Sequence, residues 1–228
     1  MLAPAELQAL LTSLAVAARA LAFALPLAVA AAWLLARPST PGRFLLNAVV
    51  HAPMVLPPVV VGYGLLLLFG VKGPLGGLLL HTLNIRLAFT GAGAALAAGV
   101  MAFPLMVRAL RLSFEAIDPG LDAAARSLGA SALDRFVSIS LPLAAPGLAA
   151  AVIIGFAACL GEFGAVITFA ANIPGETQTL PLAIYSALQS PDGDAAALRL
   201  SLLSFAIAIV ALAVSEALAR RAQYLAGR

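Results

Sequence analysis

Charge is what this sequence lacks most. Of its 228 residues only 10% are Asp, Glu, Lys or Arg, against roughly 25% in a soluble globular domain. With a mean hydropathy of +1.06, that scarcity excludes an ordinary soluble enzyme or binding module and leaves a membrane protein. Cysteine is almost missing too: Cys159 stands alone inside an apolar run, so no disulfide framework is possible and a small buried hydrophobe is its role. Lysine occurs once, at Lys72, and no G-x4-G-K-[ST] phosphate loop is present, which excludes ATP hydrolysis by that route. The two histidines, His51 and His81, stand apart and match no metal or triad spacing, so neither a catalytic residue nor a metal site is expected. No loop carries a basic cluster with interleaved aromatics, which argues against nucleic-acid binding.

What the sequence has instead is long apolar runs. Crossing a ~30 Å hydrocarbon core takes ~20 helical residues, because no water is there to satisfy backbone N–H and C=O groups. Five runs reach that length, at about 10–36, 44–70, 87–108, 143–171 and 196–219. The fold class expected is therefore all-α: a polytopic membrane protein with five transmembrane helices, arranged as one domain over residues 1–228. The first run has no charged n-region and is too long for a signal h-region, so it reads as a retained span.

The basic residues set an orientation. With the N-terminus outside, Arg37, Arg43, Arg108, Arg111, Arg126, Arg135, Arg220, Arg221 and Arg228 fall in the cytoplasm, against Lys72, Arg86 and Arg199 outside. Nine against three satisfies the positive-inside rule, and the C-terminus is then cytoplasmic. Arg19 falls within the first run and is expected to snorkel to the outer interface, with the true span starting near Ala20. The excess of basic residues, with a pI of about 9.6, is thus a topology signal.

Proline and glycine punctuate the runs. Pro38 and Pro41-Gly42 make a tight first turn. In HAPMVLPPVVVGYG, Pro53, Pro57 and Pro58 remove backbone donors and must bend the second span near its cytoplasmic end, as a packing kink or as part of a moving gate. The third span opens GAGAALAAGV, which permits close helix approach. Outside, IPGETQTLPLAIYSALQSPDGD combines two turns with a short amphipathic segment over Leu180 to Leu188 lying on the membrane surface.

One polar segment interrupts the pattern. Within the cytoplasmic loop 111–142, Asp118-Pro119 supplies an N-cap and a first-turn proline, LDAAARSLGA continues as helix, and Gly129 stops it. ALDRFVSISL makes a second short helix running into Pro142. Asp122, Arg126, Asp134 and Arg135 form the exposed face, while Leu121, Ala125, Leu128 and Phe136 can pack. Such a knob suits docking in a groove of another protein; a plain solvated connector is the other reading.

Ala124-Ala125, Gly129, Ile139, Leu141 and Pro142 match the signature E-A-A-x3-G-x9-I-x-L-P, which resembles the cytoplasmic loop of bacterial ABC importer permeases. Ala123 takes the place of the signature's Glu, with Asp122 one position earlier. HAPMVLPPVVVGYGLLLL, MAFPLMVRALRLSFEAIDPGLDAAARSLGA and LGEFGAVITFAANIPGETQTLPLAIYSAL further resemble the ModB-type molybdate importer permeases, in order and spacing over nearly the whole chain. Sulfate and thiosulfate permeases share the architecture and a related G-E-[FY]-G segment.

The resemblance implies a type I (MetI-like) permease that works as a homodimer in the bacterial inner membrane. It would act with two cytoplasmic ABC ATPase subunits, which carry the ATP and Mg, and with an external oxyanion-binding protein; the chain itself would bind no cofactor. Leu121, Asp122, Ala124, Ala125, Arg126, Leu128 and Gly129 would then couple to the ATPase. Molybdate is the expected cargo, with sulfate, thiosulfate or tungstate as alternatives.

For the path or gate, the candidates are Pro57, Pro58, Glu162, Thr168 and Asn172. Glu162 in LGEFGA is the acidic residue well inside a span, where burying it unpaired is costly. Because a carboxylate repels an oxyanion, it reads as a structural or gating group bonded to backbone N–H. Thr168 and Asn172 are candidate donors for an anion. A secondary transporter or channel would want intramembrane coupling charges or inverted repeats, and an intramembrane protease would want a catalytic constellation at one depth; the sequence offers neither.

Overall fold

The computed structural model describes residues 3–226; in the last helix, side chains are described to Ala211 and at Ala213. Among the described residues the secondary structure is helical throughout. Helix α1 (Pro4–Ala36) is followed by α2 (Arg43–Val55), α3 (Pro58–Phe69), α4 (Pro74–Leu83) and α5 (Gly91–Glu115). Three short helices, α6 (Pro119–Ser127), α7 (Ala132–Arg135) and α8 (Leu141–Leu143), surround a π-helical turn at Phe136–Ser140. Then come α9 (Ala145–Gly161), α10 (Gly164–Ala170), α11 (Leu180–Leu188) and α12 (Asp194–Ala226).

Three helices are long and apolar enough to cross a membrane alone: α1, α5 and residues 194–211 of α12. Two bent pairs raise the number to as many as five among the described residues, if each pair is one span. Helices α2 and α3 meet at 117°, and the segment Ala132–Leu143 meets α9 at 69°. The first bend corrects the sequence reading in position: it lies at Leu56-Pro57, midway along the 43–69 segment, where consecutive prolines remove two donors. Other boundaries move as well. α1 begins at Pro4 and runs through Arg19 without a break, α5 continues past 108 to Glu115, and the 71–86 connection holds the ten-residue helix α4. The fourth run, expected to be continuous, is interrupted at Glu162-Phe163.

The bundle is built on alanine. Ala17, Ala20, Ala24, Ala28 and Ala32 recur every three or four residues on one side of α1 and are fully buried, together with Ala94, Ala98 and Ala102 of α5. α1 and α5 form the most extensive helix pair, followed by α5 and α9. Small side chains let backbones approach closely, so packing contacts substitute for a hydrophobic driving force that lipid does not supply. Beyond the start of α5, the first turns of α1 are tied to the loop side of the molecule. Ser13 Oγ accepts from the Leu180 amide at 2.6 Å, and Glu6 Oε1 accepts from Arg199 at 2.7 and 3.0 Å. Arg19 is exposed beside Gly91 and Glu176 at this same end, and does not face the protein interior.

Candidate functional site

The polar loop folds from local signals. Asp118 Oδ1 accepts from the Gly120 amide at 2.8 Å and caps α6, Pro119 occupies its first turn, and Gly129 at φ +87° ends it. Ser131 caps α7 by accepting from the Asp134 amide at 3.2 Å. The two helices are then locked by one carboxylate: Asp122 Oδ1 accepts from Arg135 Nε at 2.8 Å and Oδ2 from Arg126 Nη2 at 3.0 Å. Arg135 first, and Arg126 second, hold the Asp122 carboxyl below its ordinary value of 3.8.

One expectation for this loop is corrected. Arg135 is not on the exposed face: its side chain is 12% exposed, and it also donates to the Ala130 carbonyl at 2.7 Å, which closes the turn between the helices. Phe136, read from the sequence as able to pack, does so against the spans. Its ring meets Trp33 edge-on at 5.0 Å and Phe114 at 6.4 Å, so it anchors the loop to the ends of α1 and α5. Arg37 stacks over Trp33 at 3.6 Å, extending the anchor. The other face is left open. Leu121, Ala124, Arg126, Leu128 and Gly129 are exposed, Leu128 by 88%, while Asp122 and Ala125 are half-buried. An exposed leucine on a rigid, capped helix is a contact group waiting for an apolar partner surface.

The remaining candidates lie elsewhere. The two mid-span breaks sit side by side: Gly164, first residue of α10, has Pro58 as its nearest neighbour, and Gly62 of α3 lies against Ala165 and Thr168. A Cβ on Gly62 would fall 2.7 Å from the Ala165 carbonyl oxygen and 2.8 Å from Thr168 Cβ, so only glycine permits this approach. Glu162 occupies the break, and its Oε1 accepts from the Ala165 amide at 2.8 Å, which gives α10 one of the N-terminal bonds that helix ends leave unmade. Pro57 and Pro58 are exposed. The structure therefore brings Pro57, Pro58, Glu162 and Thr168 together and leaves Asn172 apart from them.

Thr168 and Asn172, the candidate anion donors, already hold partners within the protein. Thr168 Oγ1 donates to the Gly164 carbonyl at 2.7 Å, which commits its proton to its own helix. Asn172 Nδ2 donates to Ser186 Oγ at 2.7 Å and its Oδ1 accepts from Gln178 at 3.0 Å, tying the 171–186 loop to α11. Ahead of it, Ala171 adopts φ +62° and ψ −166°, a region nearly reserved for glycine. Thr177 holds the backbone there, accepting from the Ile173 amide at 2.9 Å and donating to the Ala171 carbonyl at 3.2 Å. The aromatic anchor, the Thr177 clamp and the break at Glu162 were missed from the sequence; the glycines flanking Glu162 were the visible signal of the break.

Alanine-lined spans, paired breaks and an anchored loop with one open face make up a polytopic helical membrane protein. Comparison with known proteins gives the family: residues 24–224 match the binding-protein-dependent transport system inner membrane component, and the chain belongs to that family. It is 50% identical over 223 residues to the molybdenum transport system permease protein ModB of Escherichia coli (strain K12), covering 98% of this chain and 97% of that one. To ModB of Haemophilus influenzae it is 47% identical over the same shares. The sulfate transport system permease protein CysT of Salmonella typhimurium is more distant, 39% identical over 184 residues, which is 81% of this chain and 63% of that protein.

Among solved structures, a bacterial ABC transporter that imports the acidic polysaccharide alginate superimposes with a TM-score of 0.75 at 16% identity, over 96% of this chain and 80% of that one. The bacterial alginate transporter in complex with its alginate-bound periplasmic protein gives 0.74 at 18% identity, over 94% and 78%.

Proposed function

We propose that this chain is the membrane-spanning permease subunit of an ATP-driven importer that carries molybdate into the cytoplasm by alternating access. The observation that carries the reading is the 50% identity to ModB over 98% of this chain and 97% of that one. Two copies of the chain work with two cytoplasmic ABC ATPase subunits and an external molybdate-binding protein. ATP and Mg belong to the ATPase, and the permease itself binds no cofactor. The N-terminus lies outside and the C-terminus inside, as the distribution of basic residues favours; Arg220, Arg221 and Arg228, which that reading counts, lie outside the described side chains.

In this reading α6 is the handle. Leu121, Asp122, Ala124, Ala125, Arg126, Leu128 and Gly129 seat in an ATPase cleft, and closure of the ATPases moves the spans through the Phe136 anchor. Pro57, Pro58 and Glu162 form the gate, where paired breaks allow half-helices to swing without breaking a continuous hydrogen-bond ladder. A carboxylate at the break repels an anion at rest, which suits a barrier better than a binding site.

Reconstitution tests this. Proteoliposomes holding the permease, its ATPase and the binding protein should take up molybdate only with ATP inside and only with the ATPase present. Uptake without the ATPase would overturn the reading. Sulfate import is the second reading, favoured by the similarity to CysT; sulfate outcompeting molybdate in the same vesicles would select it.

A further inference from the structure

A second polar cluster lies apart from both the loop and the breaks, where the start of α2 meets the last two turns of α5. Arg43 Nε donates to the Leu35 carbonyl at 2.8 Å, and its Nη2 reaches Glu115 Oε1 at 3.4 Å. The same oxygen accepts from Arg111 Nε at 2.7 Å, and Arg111 Nη1 donates to Asn47 Oδ1 at 3.1 Å. His51 lies with Nδ1 2.9 Å from the Asn47 carbonyl. A carbonyl only accepts, so Nδ1 carries the proton in this bond and Nε2 takes no part in it. Arg108 makes no hydrogen bond or ion pair among the described residues and is exposed at the edge of the cluster.

Beside this cluster lies a half-open pocket of about 280 Å³, lined by His51, Arg108, Arg111, Leu112 and Glu115. That is several times the ~30 Å³ of one water. Two guanidinium groups, those of Arg43 and Arg111, bond the single Glu115 carboxylate, and Arg108 adds a third, unpaired among the described residues, at the pocket, so the cluster carries an excess of two positive charges. If the arginines served only to anchor the helix ends at the interface, they would extend separately to the lipid boundary. Instead Arg43 and Arg111 are held by Glu115, Asn47 and Leu35, so their positions are fixed before anything binds. A preset fork of guanidinium groups with one uncommitted arginine at its rim is complementary to a doubly charged, tetrahedral oxygen cluster.

We propose that this pocket binds a tetrahedral oxyanion group at the cytoplasmic mouth of the permease, with Arg108 as the principal ligand and Arg111 and His51 in support. The proposal rests on the orientation and cargo given under Proposed function. It makes the pocket a receiving station below the gate: Glu162 repels the anion at the break, and the cluster attracts it on the inner side. A phosphate group of an anionic lipid has the same chemistry and could occupy the same pocket, so the two sources are separated by experiment.

Binding of radiolabelled molybdate is measured on the full-length permease in nanodiscs of phosphatidylcholine. Wild type should bind it. Arg108→Gln should weaken binding about tenfold or more, the loss of one charge-assisted hydrogen bond. Arg108→Lys should restore part of it, and Arg86→Gln should change nothing. His51→Gln serves as a second variant should Arg108→Gln lower the thermal unfolding temperature. Where molybdate does not bind but wild type retains phosphatidylglycerol by native mass spectrometry and Arg108→Gln loses it, the pocket holds and its ligand is lipid. Wild-type binding of both ligands by the two variants, or binding of neither ligand by wild type, overturns the proposal. Uptake by the complete importer separates the two levels: normal uptake with unaltered binding in the variants refutes only the pocket, and absent uptake with intact binding refutes the importer reading and leaves the pocket standing.

Discussion

Replacing Asp122 by Asn keeps the shape of the side chain and removes the charge that joins α6 to α7. The structure sets the size of the effect. The pair with Arg126 is an exposed i,i+4 contact, its arginine side chain 69% exposed, and contributes about 0.3–0.5 kcal/mol. The pair with Arg135 matters more, because that guanidinium is largely buried and would be left facing a neutral amide; the cost is about 1–2 kcal/mol. Asp122 is itself about a third exposed, so solvent screening trims the total to about 1–2 kcal/mol. An energy of that size raises the open population of the loop by about 5–30-fold. Hydrogen exchange on the permease in nanodiscs reads it directly: the amides of α6 should exchange faster by that factor, and those of α1 and α5 should not change. ATPase affinity should fall in parallel, since a disordered handle must be ordered on docking. Unchanged protection of α6, within twofold of wild type, would refute the claim that this carboxylate holds the loop.

The same carboxylate predicts a pH dependence. Arg135 and Arg126 depress the Asp122 pKa, so its contribution is complete above the ordinary value of 3.8 and is lost as pH falls through the lower folded value; loop protection should be flat from about pH 5 to 8, should begin to fall only below about pH 4, and should reach that of the Asn variant only once the depressed folded value is passed. Gly129→Asp should cost about 1–2 kcal/mol through its φ of +87° alone, because a Cβ there meets nothing within 4 Å; ATPase pull-down should be lost with membrane insertion intact, and wild-type pull-down would contradict this. Phe136→Ala removes the half-buried anchor on Trp33 and Phe114, at about 2 kcal/mol, and should leave ATP hydrolysis running while molybdate uptake per ATP falls; an unchanged ratio would show that motion reaches the spans another way. Ala171→Gly should raise the thermal unfolding temperature in detergent, since relief of about 1–3 kcal/mol of backbone strain exceeds the entropy cost of glycine; a lower temperature would mean that no strain is stored there.

Much of this architecture was legible because membrane crossing imposes a long, simple pattern. The helical character of the apolar runs, the cap at Asp118-Pro119, the stop at Gly129 and a helix over Leu180 to Leu188 all follow from local rules, and each is present. What escaped depended on partners far away in sequence. Arg135 looked like a solvated charge because nothing local says that Asp122 sits thirteen residues back within reach. Phe136 was legible as a residue that packs, but its partners, Trp33 and Phe114, come from two other spans and no local pattern names them. The break at Glu162 was hidden by hydropathy, which scores GEFG as a short dip inside an apolar run. The same holds for Thr168 and Asn172: their residue types suggested anion donors, and only the geometry shows the bonds already made.

The contact of Pro58 with Gly164 has a mechanical consequence. Two helices broken at one depth and pressed together there cannot bend independently: tilting the upper half of one pushes on the pivot of its neighbour. A bulkier residue at position 164 would therefore wedge both pivots at once, freezing the upper halves of α2–α3 and α9–α10 as a single block while leaving the alanine-lined helices beneath them free to rock.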